Sequence, residues 1–213
     1  MTWLAGIPAE ALATFALASA LIEVTPGPNM TWLAVVTVSE GRPKGYAAVA
    51  GVFLGLFAVG VASSLGLAAL MTERPAAWQV LRWAGIAYLV WLAWDAWRAA
   101  DGREDGHEGG AGAGAFFRRG LVTNLLNPKA ALFFVSVLPA FTADTGPLIP
   151  QTLVLTAFYV AIATTVHAGI VTLAGTARAL LTDREKSRTV RRALAVALFG
   201  VAVWFAWTSG RAG

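Results

Sequence analysis

The sequence predicts an all-α membrane protein: six transmembrane helices as two inverted three-helix repeats, with helices 1 and 4 broken. Three observations carry this. Hydrophobic residues make up 57% of the 213 positions and charged residues only 13%, against roughly 45–50% apolar and 25% charged in average soluble domains. The apolar residues gather in six stretches, each long enough to cross a bilayer, which takes about 20 residues. Two proline motifs, Thr25-Pro26-Gly27-Pro28-Asn29 and Asn127-Pro128-Lys129, interrupt the first and fourth stretches.

The spans fall at about 9–38, 45–71, 77–97, 116–141, 149–177 and 190–209. In the first, a proline within a helix removes a backbone donor and costs about 3 kcal/mol. A Pro-Gly-Pro run therefore ends one helix and lets another begin. The second span is punctuated by Gly51, Gly55, Gly60 and Gly66, and Gly51-Val52-Phe53-Leu54-Gly55 is a GxxxG pattern, which lets helices approach closely. The third has Trp78 and Trp83 toward one end and Trp94 and Trp97 toward the other, as expected of aromatic residues at the two membrane interfaces. The fourth carries the second break, the fifth contains His167, and the sixth follows a run of basic residues.

The connection at 98–115 is charged and then rich in Gly and Ala, a composition expected of a flexible loop. It separates a first repeat (1–97) from a second (116–213) within a single membrane domain. Because each half has three spans, the second enters the bilayer from the opposite side. If the halves share a fold, the repeat is inverted.

Orientation follows from the basic residues. Arg42 and Lys44 follow span one; Arg98, Arg103, Arg118 and Arg119 follow span three; Arg178, Arg184, Lys186, Arg188, Arg191 and Arg192 follow span five. Only Arg74, Arg82 and Arg211 fall on the other side. The excess places those three loops in the cytoplasm and both termini outside. The formal charge of +4 is thus a topology signal and does not point to nucleic acid. Cysteine is absent, which excludes disulfides, thiolate metal sites and thiol redox chemistry. No nucleophile–base set, metal cluster or cofactor motif is visible, so the chain reads as neither an enzyme nor a cofactor carrier. No basic segment opens it and Glu10 interrupts the first apolar run, so no cleaved signal peptide is expected.

The chemistry lies at the breaks. Thr25 and Asn127 suit an N-cap, and Pro26 and Pro128 suit the first helical position, where a missing N–H costs nothing. Pro28 then falls within the first turn. Each break starts a half-helix whose free N–H groups carry partial positive charge and attract carboxylates. Lys129 adds a cation to the second. Thr25, Pro26, Gly27, Pro28, Asn29, Asn127, Pro128 and Lys129 are therefore the candidate binding residues, and an anionic group is the expected ligand. Glu23, two residues before the first break, is a carboxyl in apolar surroundings, where a charge costs about 2.5–3.5 kcal/mol at the centre of a span. It must pair, protonate or face water, and three roles are open: proton carrier, partner of a substrate ammonium, or structural partner of Lys129. His167 is the second candidate for proton coupling or substrate contact. Asp95 and Arg98, three apart, read as a local ion pair or a snorkelling Arg near the cytoplasmic end of span three.

The motif Thr25-Pro26-Gly27-Pro28-Asn29, the glycine-spaced second span after Gly41, Gly85-Ile86-Ala87-Tyr88-Leu89 and Asn127-Pro128-Lys129-Ala130 together resemble the LysE/RhtB family, the lysine exporter and homoserine/threonine exporter-type translocators of bacteria. The resemblance covers essentially the whole chain. It implies a multi-pass secondary exporter of amino acids or close derivatives in the bacterial inner membrane, driven by protons, embedded in lipid, and compatible with a homo-oligomer. Alternating access is the expected mechanism, with the substrate carboxylate at the half-helix ends and its ammonium near Glu23, Asn29, Asn127 or freed backbone carbonyls. Basic-substrate specificity does not follow, because Glu23 is the one acidic residue placed deep in the membrane. The other function class is a passive channel or pore for small zwitterionic or anionic solutes; two matched motifs in one chain favour a carrier over the oligomeric rings of channels.

Overall fold

The computed structural model describes residues 4–25, 27–67, 75–100, 111–142, 146–180 and 184–209. Pro26, Arg74, Arg211 and residues 101–110 of the long loop, where Arg103 falls, lie outside the described residues. Every element among those described is helical. Helices α1 (Ala9–Val24) and α2 (Pro28–Glu40) meet at a 56° bend. Helix α3 (Arg42–Ala62) runs on through a π-helical turn, Ser63–Leu67, and α4 covers Pro75–Ala100. Helix α5 (Ala113–Leu125) is followed by α6 (Pro128–Leu132), which continues through a π-helical turn, Phe133–Val137, and a 3-10 turn, Leu138–Phe141. That second pair bends by 48°. Helices α7 (Leu148–Leu180) and α8 (Arg184–Ser209) complete the bundle.

Arg42–Gly66 and Leu148–Arg178 are each long and apolar enough to cross a bilayer, with mean hydropathies of 2.1 and 1.8. Each bent pair also qualifies when taken as one span. Helices α4 and α8 have 26 residues each, about 39 Å at 1.5 Å per residue. Their length suffices, while their many Trp and Arg residues lower their apolarity. The chain is therefore a helical membrane protein with two to four strongly apolar spans among the described residues. Outward-facing Leu17, Leu21, Phe53, Trp94, Phe199 and Trp207 give the bundle an apolar exterior suited to lipid.

The tightest crossing, α3 on α5, is made by glycine. A Cβ on Gly51 would meet the backbone of Phe117 and Leu121, one on Gly55 would meet Asn124, and one on Gly120 would meet the carbonyl of Ala48. The GxxxG pattern is thus a backbone-to-backbone seam, as small residues in membrane helices allow. Threonines inside the helices satisfy themselves: Thr37, Thr123 and Thr164 donate to the carbonyls four residues back, at 2.7, 2.6 and 2.7 Å, so the apolar interior leaves those hydroxyls partnered.

The basic end is tied together across helices. Gly41, with φ of +95°, takes the left-handed turn between α2 and α3 that only glycine adopts freely. Arg42 then reaches the Thr172 carbonyl at 2.9 Å and the Thr176 hydroxyl at 2.7 Å. Asp95 bonds Arg119 of α5 at 3.0 Å, an interhelical partner that the local Asp95–Arg98 reading did not foresee. The core has two parts. One, around Phe15, Leu56, Phe133, Phe134 and Tyr159, lies away from the basic end; the other, around Trp32, Leu33, Leu89, Leu92 and Phe116, lies toward it. The two helix breaks sit at the seam between them.

Candidate functional site

The first break differs in detail from the sequence expectation. Thr25 does not open α2; it closes α1, its N–H bonded to the carbonyls of Leu21 and Ile22 and its hydroxyl to Leu21 at 2.9 Å. Gly27 is the N-cap of α2, in extended backbone at φ −153° and ψ 175°, and Pro28 takes the first helical position. Both prolines of the motif suit that position, and the extended Gly27 leaves it to the second. The other break follows the expectation: Asn127 caps α6, its side-chain oxygen accepting from Lys129 N–H at 3.1 Å, with Pro128 next.

The two breaks face one another. Lys129 Nζ donates to the Thr25 carbonyl at 3.0 Å, and its side chain lies over Gly27. Asn29 Nδ2 donates to Asn124 Oδ1 at 2.8 Å. Residue numbers rise on one strand of contacts as they fall on the other, so the two bent segments cross antiparallel at their breaks.

Behind this crossing sits Glu23, 4% exposed. Its Oε1 accepts from the Tyr159 hydroxyl at 2.6 Å, and its Oε2 lies 3.4 Å from His167 Nε2. Tyr159 is held flat on Phe133, centroids 3.8 Å apart, and edge-on to Phe134. Glu23, Gly27, Pro28, Asn29, Asn127, Lys129 and His167 line one cavity, together with Met30, Leu56 and Tyr159. Its free volume, about 10 Å³, is room for roughly one water. Two buried polar atoms of its lining residues lack a hydrogen-bond partner, Asn29 Oδ1 and His167 Nδ1. Such groups are uncommon in native interiors, and here they offer two acceptor-capable atoms to a ligand.

Seven of the ten candidate residues thus share one cavity. Thr25 contributes its carbonyl to Lys129 from outside the lining, Pro128 begins α6, and Pro26 is outside the described residues. Sequence reasoning missed Tyr159 and Asn124. Tyr159 is one of three tyrosines in the chain, and a hydroxyl deep in an apolar span demands a partner; that signal was available. Replacing Tyr159 by Phe keeps the ring stack and strips Glu23 of its donor. A lost hydrogen bond to a charged group is worth about 1.5–3 kcal/mol, so Tyr159→Phe should lower the unfolding temperature in detergent; an unchanged melt would mean that the carboxylate is held by other groups.

A family model described as LysE type translocator matches residues 20–209. The chain belongs to the LysE type translocator family. Among curated relatives of this LysE type translocator, the homoserine/homoserine lactone efflux protein of Salmonella typhimurium is 30% identical over 84% of this chain and 87% of that protein. The leucine efflux protein of Klebsiella pneumoniae is 33% identical over 60% of this chain and 61% of that one. That of Salmonella choleraesuis is 32% identical over 63% and 64%. No solved structure matches. As a LysE type translocator the protein moves a solute across a membrane and is not an enzyme.

Proposed function

We propose that the protein is a proton-coupled secondary exporter of amino acids with uncharged side chains, or their close derivatives, working by alternating access in a bacterial cytoplasmic membrane. The observation that carries this reading is that one buried cavity at two facing helix breaks is lined by both a carboxylate, Glu23, and an ammonium, Lys129. These are the two complements of a zwitterion. The substrate carboxylate takes Lys129 Nζ in exchange for the Thr25 carbonyl, with the first-turn N–H groups of α2 beside it. The substrate ammonium takes Glu23 and Asn29 Oδ1. The substrate side chain then rests on Met30 and Leu56.

Each cavity charge is used once, so a charged side chain would enter unpaired at a cost of several kcal/mol. The homoserine and leucine in the relatives' names fit that restriction. The six-helix inverted repeat, both termini outside, is the architecture we adopt: the 56° and 48° bends are matched, the breaks cross antiparallel, and the basic residues gather at one end. Glu23 is the coupling group. With Tyr159 and His167 on its two oxygens, protonation withdraws the negative charge that holds the ammonium and releases substrate outward.

The test is Glu23→Gln in proteoliposomes loaded with labelled leucine or homoserine. Efflux against a concentration gradient should cease, and exchange at equal concentrations should need much higher substrate, because glutamine keeps the shape and loses both the proton site and the charge that holds the ammonium. Uphill efflux with unchanged pH dependence would make Glu23 a structural residue.

A further inference from the structure

A second cavity lies between α2, α4 and α5 at the basic end, with a free volume of about 40 Å³. Trp32, Ser39, Glu40, Asp95, Phe116 and Arg119 are among its walls. It is stacked on the central cavity along α2. Asn29 lines the central cavity and Val36 the second, seven residues or about 10 Å apart along a helix axis. Trp32, 2% exposed, stands between those two positions along α2 and lines the second cavity.

The polar wall of this chamber is an ion pair open to exchange. Asp95 on α4 and Arg119 on α5 meet at 3.0 Å with side chains 31% and 20% exposed. Glu40 pairs with Lys44 beside it at 2.6 Å. Arg119 is held in place independently of Asp95, its guanidinium 5.3 Å from the Trp91 ring centre and 5.8 Å from that of Phe116. Partly exposed ion pairs contribute only about 0–1 kcal/mol. A zwitterion inserted between Asp95 and Arg119 keeps both charges paired, its carboxylate on the guanidinium fork and its ammonium on Asp95, with Glu40 across the chamber.

We propose that this chamber is a second binding station for the zwitterionic substrate, loaded from the basic face before Trp32 yields and passes it to the central cavity. The proposal rests on the transport reading and orientation given above, but uses none of the central residues. Arg119 is the specificity-determining group of the station and Asp95 its counterpart.

The chain contains no cysteine, so Ser39→Cys places a single thiol in the chamber. In inverted membrane vesicles a charged methanethiosulfonate reaches it from the basic face. L-leucine or L-homoserine at twice its Kd should slow labelling about threefold by mass action. The same protection should persist in Ser39→Cys/Lys129→Ala, where the central carboxylate site is gone, and vanish in Ser39→Cys/Arg119→Gln. Should the Arg119 variant fail to insert, Asp95→Asn is read in its place. Absence of protection, or protection lost with Lys129→Ala and retained with Arg119→Gln, overturns the second station. Normal transport by Lys129→Ala would instead sink the central site and leave the station's own result intact.

Discussion

Replacing Lys129 by alanine should lower amino-acid efflux about a hundredfold at subsaturating substrate, with the protein still inserted in the membrane. The size follows from one charge-assisted contact, up to about 3 kcal/mol, at 1.4 kcal/mol per tenfold. Lys129 Nζ bonds the Thr25 carbonyl at 3.0 Å, which links the two breaks without closing any core layer. Insertion and folding should therefore survive. Initial rates of labelled leucine or homoserine efflux from proteoliposomes, normalised to protein recovered in the bilayer, read the effect. Efflux at the parental rate would remove the carboxylate site from the mechanism.

The second large effect is structural. Gly51→Leu should abolish the folded monodisperse protein, because even a Cβ at that position would strike the Phe117 carbonyl and approach the Leu121 nitrogen to 2.8 Å. Those are backbone atoms of α5, unable to rotate aside. Inserting even a methylene or two into a well-packed core costs about 1–3 kcal/mol, and total stability is only about 5–15 kcal/mol. Forcing α3 from α5 also moves Asn124, which lies against Gly55, and so disturbs the crossing of the breaks. Gly169→Ala and Gly200→Ala provide the contrast: a Cβ at either meets nothing within 4 Å, and alanine should hold or slightly raise the melting temperature through helix propensity. Size-exclusion profiles and thermal melts in detergent compare all three. A well-folded Gly51→Leu would show that the seam is looser than its geometry.

Much of the site was legible before any coordinates because its parts violate local rules. Prolines in apolar runs, a carboxyl before one break and an ammonium after the other each carry a cost that only a purpose in the fold offsets. The helix starts were half legible. Asn127-Pro128 offers one capping solution, whereas Thr25-Pro26-Gly27-Pro28 offers two prolines for one position, and only the tertiary setting of Gly27 under Lys129 separates them. Tyr159 and Asn124 were not read because their meaning lies in distant partners: Glu23 is 136 residues from Tyr159, and Asn29 is 95 from Asn124. Arg119 as a partner of Asp95 was hidden for the same reason, since it arrives from another helix. Of the two π-helical turns, Ser63–Leu67 is marked by Gly66, whereas Phe133–Val137 contains neither proline nor glycine and leaves no signature.

The narrowness of the central cavity has a consequence for leakage across the membrane. A membrane under tension from electrical and concentration gradients loses both through any continuous thread of water, and a space for about one molecule interrupts the thread. The same tightness means that nothing the size of an amino acid passes without helices moving first. Collective helix motions occupy microseconds to milliseconds, and in the alternating-access mechanism proposed above they would set the ceiling on turnover.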